Sequence, residues 1–139
     1  MADAVTSQTL SDGDRVAVVK FTNISDGSGE ASVKKVDIST LAASVTTGAT
    51  PARATIEQVW YDIGGMRVAL EWNATTNVVA AVLGGSAAAG PGSGYMDFRS
   101  FGGLKNTLAS GYDGDIDLTT SGHTNLDHYT IVLQLRKSY

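Results

Sequence analysis

The stretch Tyr112–Asp117, YDGDID, sets Asp113, Asp115 and Asp117 at alternate positions. Carboxylates so spaced converge on a hard cation in the first half of an EF-hand loop. The rest of that loop is missing, because its sixth position is Leu118 instead of glycine and its twelfth is Thr124 instead of glutamate. Asp113, Asp115 and Asp117 are therefore metal candidates on spacing alone. The competing reading is a turn at Gly114 feeding a strand, with Ile116 and Leu118 pointing inward and the carboxylates in water.

Two histidines, His123 and His128, flank Asp127 in SGHTNLDHY. Two imidazoles and a carboxylate can hold a metal, or Asp127 can orient a histidine base. No motif fixes a nucleophile beside them, so they read as surface or structural residues. The stretch GGSAAAGPGSG at 84–94 matches neither the dinucleotide fingerprint nor the P-loop, and no helix follows it. It reads as a flexible loop. Asn23-Ile24-Ser25 and Asn73-Ala74-Thr75 fit the glycosylation pattern, but no secretory leader is recognisable in MADAVTSQTLSDGD, so both read as chance matches. No catalytic residue and no cofactor is assigned, and the chain reads as a non-enzyme.

Composition narrows the class. The 139 residues fit one domain able to bury a core without covalent staples, and the absence of cysteine removes disulfides, thiol nucleophiles and cysteine-based zinc sites. A net charge of −4 with scattered lysines and arginines argues against nucleic acid as a partner. No apolar run approaches the roughly 18 residues of a membrane helix, so no membrane partner is expected. Sixteen glycines against two prolines indicate many tight turns.

The elements that must position any site read as strands. Residues 1–13 form an extended or disordered N-terminal arm, and 14–139 a single β domain. RVAVVKFTNI at 15–24 is rich in β-branched and aromatic residues and is followed by the turn residues SDGSG. In EASVKKVDI the apolar phase slips at Lys34–Lys35, as a β-bulge produces. Residues 39–53 leave room for one helical turn at most. In IEQVWYDIGGMRVALEW, a two-residue turn at Gly64–Gly65 makes a hairpin that pairs Ile63 with Met66, Tyr61 with Val68 and Val59 with Leu70 on one face. Asp62 then meets Arg67 on the other face, Trp72 joins the core, and Trp60 is left facing outward among Gln58, Asp62 and Arg67. VVAAVL at 78–83 reads as a strand buried on both faces, and YMDFRSFGGL at 95–104 gathers three aromatics. HYTIVLQLRK at 128–137 alternates Tyr129, Ile131, Leu133 and Leu135 with polar residues, broken by Val132. The expected fold is all-β: an antiparallel β-sandwich or small barrel with glycine-rich loops and a flexible arm.

The arm, VAVVKFTNISDGSGEASVKKVDISTL, the Gly64–Gly65 segment, GSGYMDFRSFGGL and GHTNLDHYTIVLQLRK together resemble a small virion protein of tailed bacteriophages, along nearly the whole chain. The resemblance implies a capsid decoration, or cement, protein: small, cysteine-free, β-rich, and bound to the outer capsid surface where capsomers meet. It further implies the major capsid protein as partner, a homo-oligomer with trimers favoured, and a place on the virion after synthesis in the host cytoplasm. The interface candidates are Trp60, Arg67, Tyr95, Phe98 and Phe101, with the arm and the 84–94 loop as contact elements. A head-to-tail connector or tail component is the alternative within phage biology. A carbohydrate-binding attachment module using Trp60 or the 95–101 aromatics is the alternative from another class.

Overall fold

The computed structural model describes residues 3–84 and 92–139. Ten strands follow in chain order: β1 (Ala4–Asp12), β2 (Val16–Asp26), β3 (Val33–Val36), β4 (Arg53–Gly64), β5 (Arg67–Ala74), β6 (Val78–Leu83), β7 (Gly92–Asp97), β8 (Leu104–Lys105), β9 (Tyr112–Ser121) and β10 (Asn125–Ser138). Single 3-10 turns at Ile38–Thr40 and Arg99–Phe101 are the helical elements among the described residues. Sheet A runs β1-β2-β10-β4-β7, with β8 also on β4, and sheet B runs β3-β9-β5-β6. All pairings are antiparallel.

Leaving out β1 and the two-residue β8, the orders 2-10-4-7 and 3-9-5-6 are those of a jelly roll, in which the chain passes between two facing sheets. The core lies between them. Sheet A contributes Val19, Phe21, Ile56, Val59, Ile63, Tyr129, Ile131, Leu133 and Leu135, and sheet B contributes Val36, Val68, Leu70, Trp72, Leu83, Ile116 and Leu118. The alternation of β10 and the inward position of Trp72, Ile116 and Leu118 are as the sequence indicates.

The hairpin expected at Gly64–Gly65 does not form. β4 lies in sheet A and β5 in sheet B, and neither pairs with the other. Gly65, with φ of +83°, turns the chain from one sheet to the facing one. The two apolar arms therefore oppose each other across the core instead of lying side by side. Asp62 pairs with Thr130 and Ser93 in sheet A while Arg67 opposes Ser121 in sheet B, so the expected charge pair is absent. β6 also differs from expectation: it is the edge of sheet B, with Val78, Val79 and Val82 exposed. A short apolar run carries no information on whether a second neighbour covers it.

Two bulges redirect side chains. The slip at Lys34–Lys35 is present, since Lys34 opposes Asp117 and Val36 opposes Ile116, leaving Lys35 as the extra residue. In β4, Gln58 opposes Gln134 and Ile56 opposes Leu135, so Glu57 is a second bulge that keeps both Ile56 and Val59 in the core. Residues 4–12 of the expected arm are strand β1, paired with β2 and exposed along their length. Of the expected 84–94 loop, residues 85–91 lie outside the described residues, and 92–94 begin β7.

Gly114 sits at φ +87°, and a Cβ there would lie 2.0 Å from the Ala52 carbonyl oxygen; Gly27 has φ +101° with nothing within 4 Å. Gly114→Ala should lose about 2–4 kcal/mol of stability and Gly27→Ala about 1 kcal/mol, since both incur the left-handed cost but only the first displaces backbone. Urea unfolding of the two variants measures the difference.

Candidate functional site

β-strand alternation places Trp60 on the outer face of sheet A, opposite the core residues Val59 and Ile63. Its cross-strand neighbours are Tyr95 on β7 and Val132 on β10, and Lys20 on β2 extends the row. The Trp60 and Tyr95 rings stack with centroids 5.3 Å apart and planes 28° from parallel. They remain 39% and 49% exposed, a large apolar surface for a sheet face.

A polar border lies at the Gln58 end of the pair. The Gln58 amide donates to the Tyr95 hydroxyl. Arg99 grips Asp97 through Nε and Nη2 at 2.9 and 2.7 Å, and its backbone N–H donates to the same carboxylate at 3.0 Å. These contacts hold the Asp97 carboxyl well below the usual carboxylate range. Further along the same direction, Arg136 donates to Glu57 at 3.3 Å and to the Gly102 carbonyl at 3.1 Å. These charges pair among themselves at the Gln58 end, while Lys20 and Asp62 stand on the same face outside those pairs.

The other interface candidates do not all join it. Phe98 packs against the core, with its ring 6.0 Å from that of Phe101, which is exposed beside it at the Arg99–Phe101 turn. Arg67 lies in sheet B, away from Trp60, because the two arms belong to different sheets. Gln58 lies beside Trp60 as the sequence indicates, whereas Asp97 and Arg99 were missed; the Asp97-Phe98-Arg99 spacing after an aromatic strand was the available signal.

The metal candidates separate as well. Among the described residues no group of three or more His, Asp or Glu is disposed to hold a metal ion. Asp113 is exposed and caps the backbone N–H of Asp115 at 3.0 Å. Asp115 and Asp117 are buried, contrary to the expectation of carboxylates in water. Asp115 pairs with Lys34 at 2.6 Å and accepts the Ile38 N–H at 2.8 Å. Burial still pushes its carboxyl above the usual range, and Lys34 offsets only part of that. Asp117 accepts from the Asn73 and Asn77 amides at 2.6 and 3.0 Å, fixing the β5–β6 turn. Asp127 caps Thr124 at 2.7 Å, and neither histidine is among its hydrogen-bond partners. His123 meets Thr120 at 3.3 Å and lies against Gly29, while the His128 ring lies against Gly64. These groups build the fold.

A buried polar cluster between the sheets is structural too. Glu30, on the β2–β3 crossing, accepts from Asn23 at 2.6 Å and from Tyr129 at 2.5 Å, and pairs with Lys35 at 2.5 Å. Burial, and then the Glu30 contact, push the Tyr129 hydroxyl far above its ordinary range. Lys35 reaches Glu30 because the bulge turns it inward, where its side chain is 3% exposed.

No protein-family model matches the chain, and no curated protein does. Among solved structures it is similar to a cupin domain from Bordetella pertussis Tohama I, at 8% identity over 100% of this chain and 98% of that one, TM-score 0.40. It is similar to a family 29 carbohydrate-binding module complexed with mannohexaose, at 10% identity over 96% and 92%, TM-score 0.43. A chain of the acidic stable capsid structure of Helicobacter pylori bacteriophage KHP30 is similar at 11% identity over 94% and 93%, TM-score 0.42. Likeness at this level carries no argument about function.

Glu30→Gln should cost about 3–5 kcal/mol by leaving the buried Lys35 ammonium without a counter-charge. Adding Lys35→Met should recover part of that loss, as thermal unfolding of the single and double variants would record.

Proposed function

We propose that the protein is a capsid decoration protein of a tailed bacteriophage, which binds the shell of major capsid protein from outside and stabilises it. In this reading it acts by binding and carries out no reaction. The observation that carries the proposal is the Trp60–Tyr95 pair: two large rings held in fixed positions on a sheet face and bordered at the Gln58 end by the Asp97–Arg99 ion pair. Such a patch is built to be covered by another protein surface. The resemblance along the sequence supplies the kind of surface. Every contact formed only on the assembled shell stabilises that shell by linkage, so a small protein suffices without doing chemistry.

Carbohydrate binding is the second reading, favoured by the Gln58 amide and Asp97 carboxylate beside the rings, groups that suit sugar hydroxyls. The stacking disfavours it. One face of each ring is already taken by the other, whereas a sugar platform needs an open face level with the sheet.

The test is co-sedimentation with phage capsid shells stripped of this protein, alongside a glycan array. The wild type should bind shells and raise their melting temperature. Trp60→Ala, whose half-exposed site leaves the core intact, should weaken binding by about 2 kcal/mol, roughly thirtyfold. Glycan binding that disappears in Trp60→Ala, with no affinity for shells, would replace the decoration reading by the carbohydrate one.

A further inference from the structure

Strand β1 buries none of its residues, yet it is tied down at both ends. At its start, Asp3 accepts from the Asn23 amide at 3.0 Å, the Asp26 N–H at 3.1 Å, Ser28 Oγ at 3.1 Å and the Gly29 N–H at 3.3 Å. Burial raises the Asp3 carboxyl, but these bonds outweigh it and bring it to about 2. At its end, Asp12 accepts from the Ala42 N–H at 2.7 Å and from Lys137, a fully buried ammonium that also donates to the Gly13 and Ala42 carbonyls. Sheet A is one strand wider than sheet B along its path, so β1 overhangs. Its inner-face residues Val5, Ser7 and Thr9 are exposed, and a hollow of about 100 Å³ lies beneath Ser7 and Thr9 over Val19 and Phe21. A strand that adds nothing to the core but is fixed in place leaves its far edge open to pairing.

Proteins protect sheet edges with charge, proline, bulges or brevity. β3 has four residues with Lys34 and Lys35 among them, β7 ends in the Asp97–Arg99 ion pair, and β6 carries a bulge at Ala80. β1 has no charge and no proline from Ala4 to Ser11, and although Leu10 bulges near its end, its register is regular over the six residues from Ala4 to Thr9. Among the described residues its only strand partner is β2.

We infer that β1 pairs antiparallel with β1 of a second copy across a two-fold axis at Ser7, joining two copies of sheet A into one continuous sheet. A two-fold axis perpendicular to the sheet keeps each face on its own side, so opposed residues share parity. Centring on Ser7 places Val5 opposite Thr9 of the second copy, covering the half-exposed valine and the mouth of the hollow. Asp3 and Asp12 then face uncharged positions or lie beyond the pairing, so no like charges oppose. The occupant is a second copy because pairing about Ser7 matches the strand to itself in phase and opposes no charges. This pairing does not depend on the decoration reading, whose resemblance favours trimers.

Light scattering on the full chain across a concentration series, with two variants, decides it. The wild type should have the mass of two chains. Ser7→Lys sets two ammonium groups against each other at the axis and should weaken the pair about tenfold or more, while its melting profile at low concentration stays that of the wild type. In this cysteine-free chain Ser7→Cys should oxidise to a linked pair, and Val79→Cys on the β6 edge should not. A single-chain mass at every concentration would overturn the inference. So would a dimer or trimer that Ser7→Lys leaves intact, or linkage through Ser7→Cys no faster than through Val79→Cys.

Discussion

One buried carboxylate, Glu30, joins the two sheets where the chain first crosses between them. From sheet A it takes hydrogen bonds from Asn23 and Tyr129, and from sheet B it takes the Lys35 ammonium, while its backbone exchanges hydrogen bonds with Thr120. An isolated charge in that position would cost several kcal/mol, so the site requires a counter-charge delivered inward from a strand whose neighbours face the other way. The β3 bulge meets that requirement by turning Lys35 toward the core. The facing of the sheets, and hence the direction of every outer-face side chain, follows from this clamp and from the apolar layer beside it.

The Glu30 cluster occupies the interior, so the proposed recognition falls to the outer face of sheet A. The outer face of sheet A is supported from beneath by β10 and β4, whose inward residues Ile131, Leu133 and Val59 are fully buried. Trp60 and Val132 stand on that rigid base, and Tyr95 adds its ring from the adjoining strand. A patch on regular strands loses little conformational entropy when a partner covers it, which is how a flat face can still bind firmly. Buried carboxylates elsewhere close turns and crossings: Asp115 at the Ile38 turn and Asp117 at the β5–β6 turn.

The strands were legible in the sequence wherever alternation is uninterrupted, as in β10, and even the bulge at Lys35 showed as a slip of phase. Gly64–Gly65 misled. Glycines between two apolar strands are the same signal for a tight hairpin and for a corner between facing sheets, because both need a left-handed backbone at the turn. The misplacement of Arg67 beside Trp60 follows directly from that one ambiguity. Trp60 itself was readable as outward-facing from its phase relative to Val59 and Ile63. Its partner Tyr95 was not, because the two lie far apart along the chain and no local pattern encodes which distant strands become neighbours. Asp115 and Asp117 read as solvated since alternation reports which face a residue occupies, not whether a neighbouring loop covers that face.

The decoration reading predicts that the Trp60–Tyr95 face docks on an assembled phage shell, which electron cryomicroscopy of virions containing this chain would show. Regular copies at capsid subunit junctions, with that face turned to the shell, are the expected result. Density confined to the portal vertex or tail would contradict it.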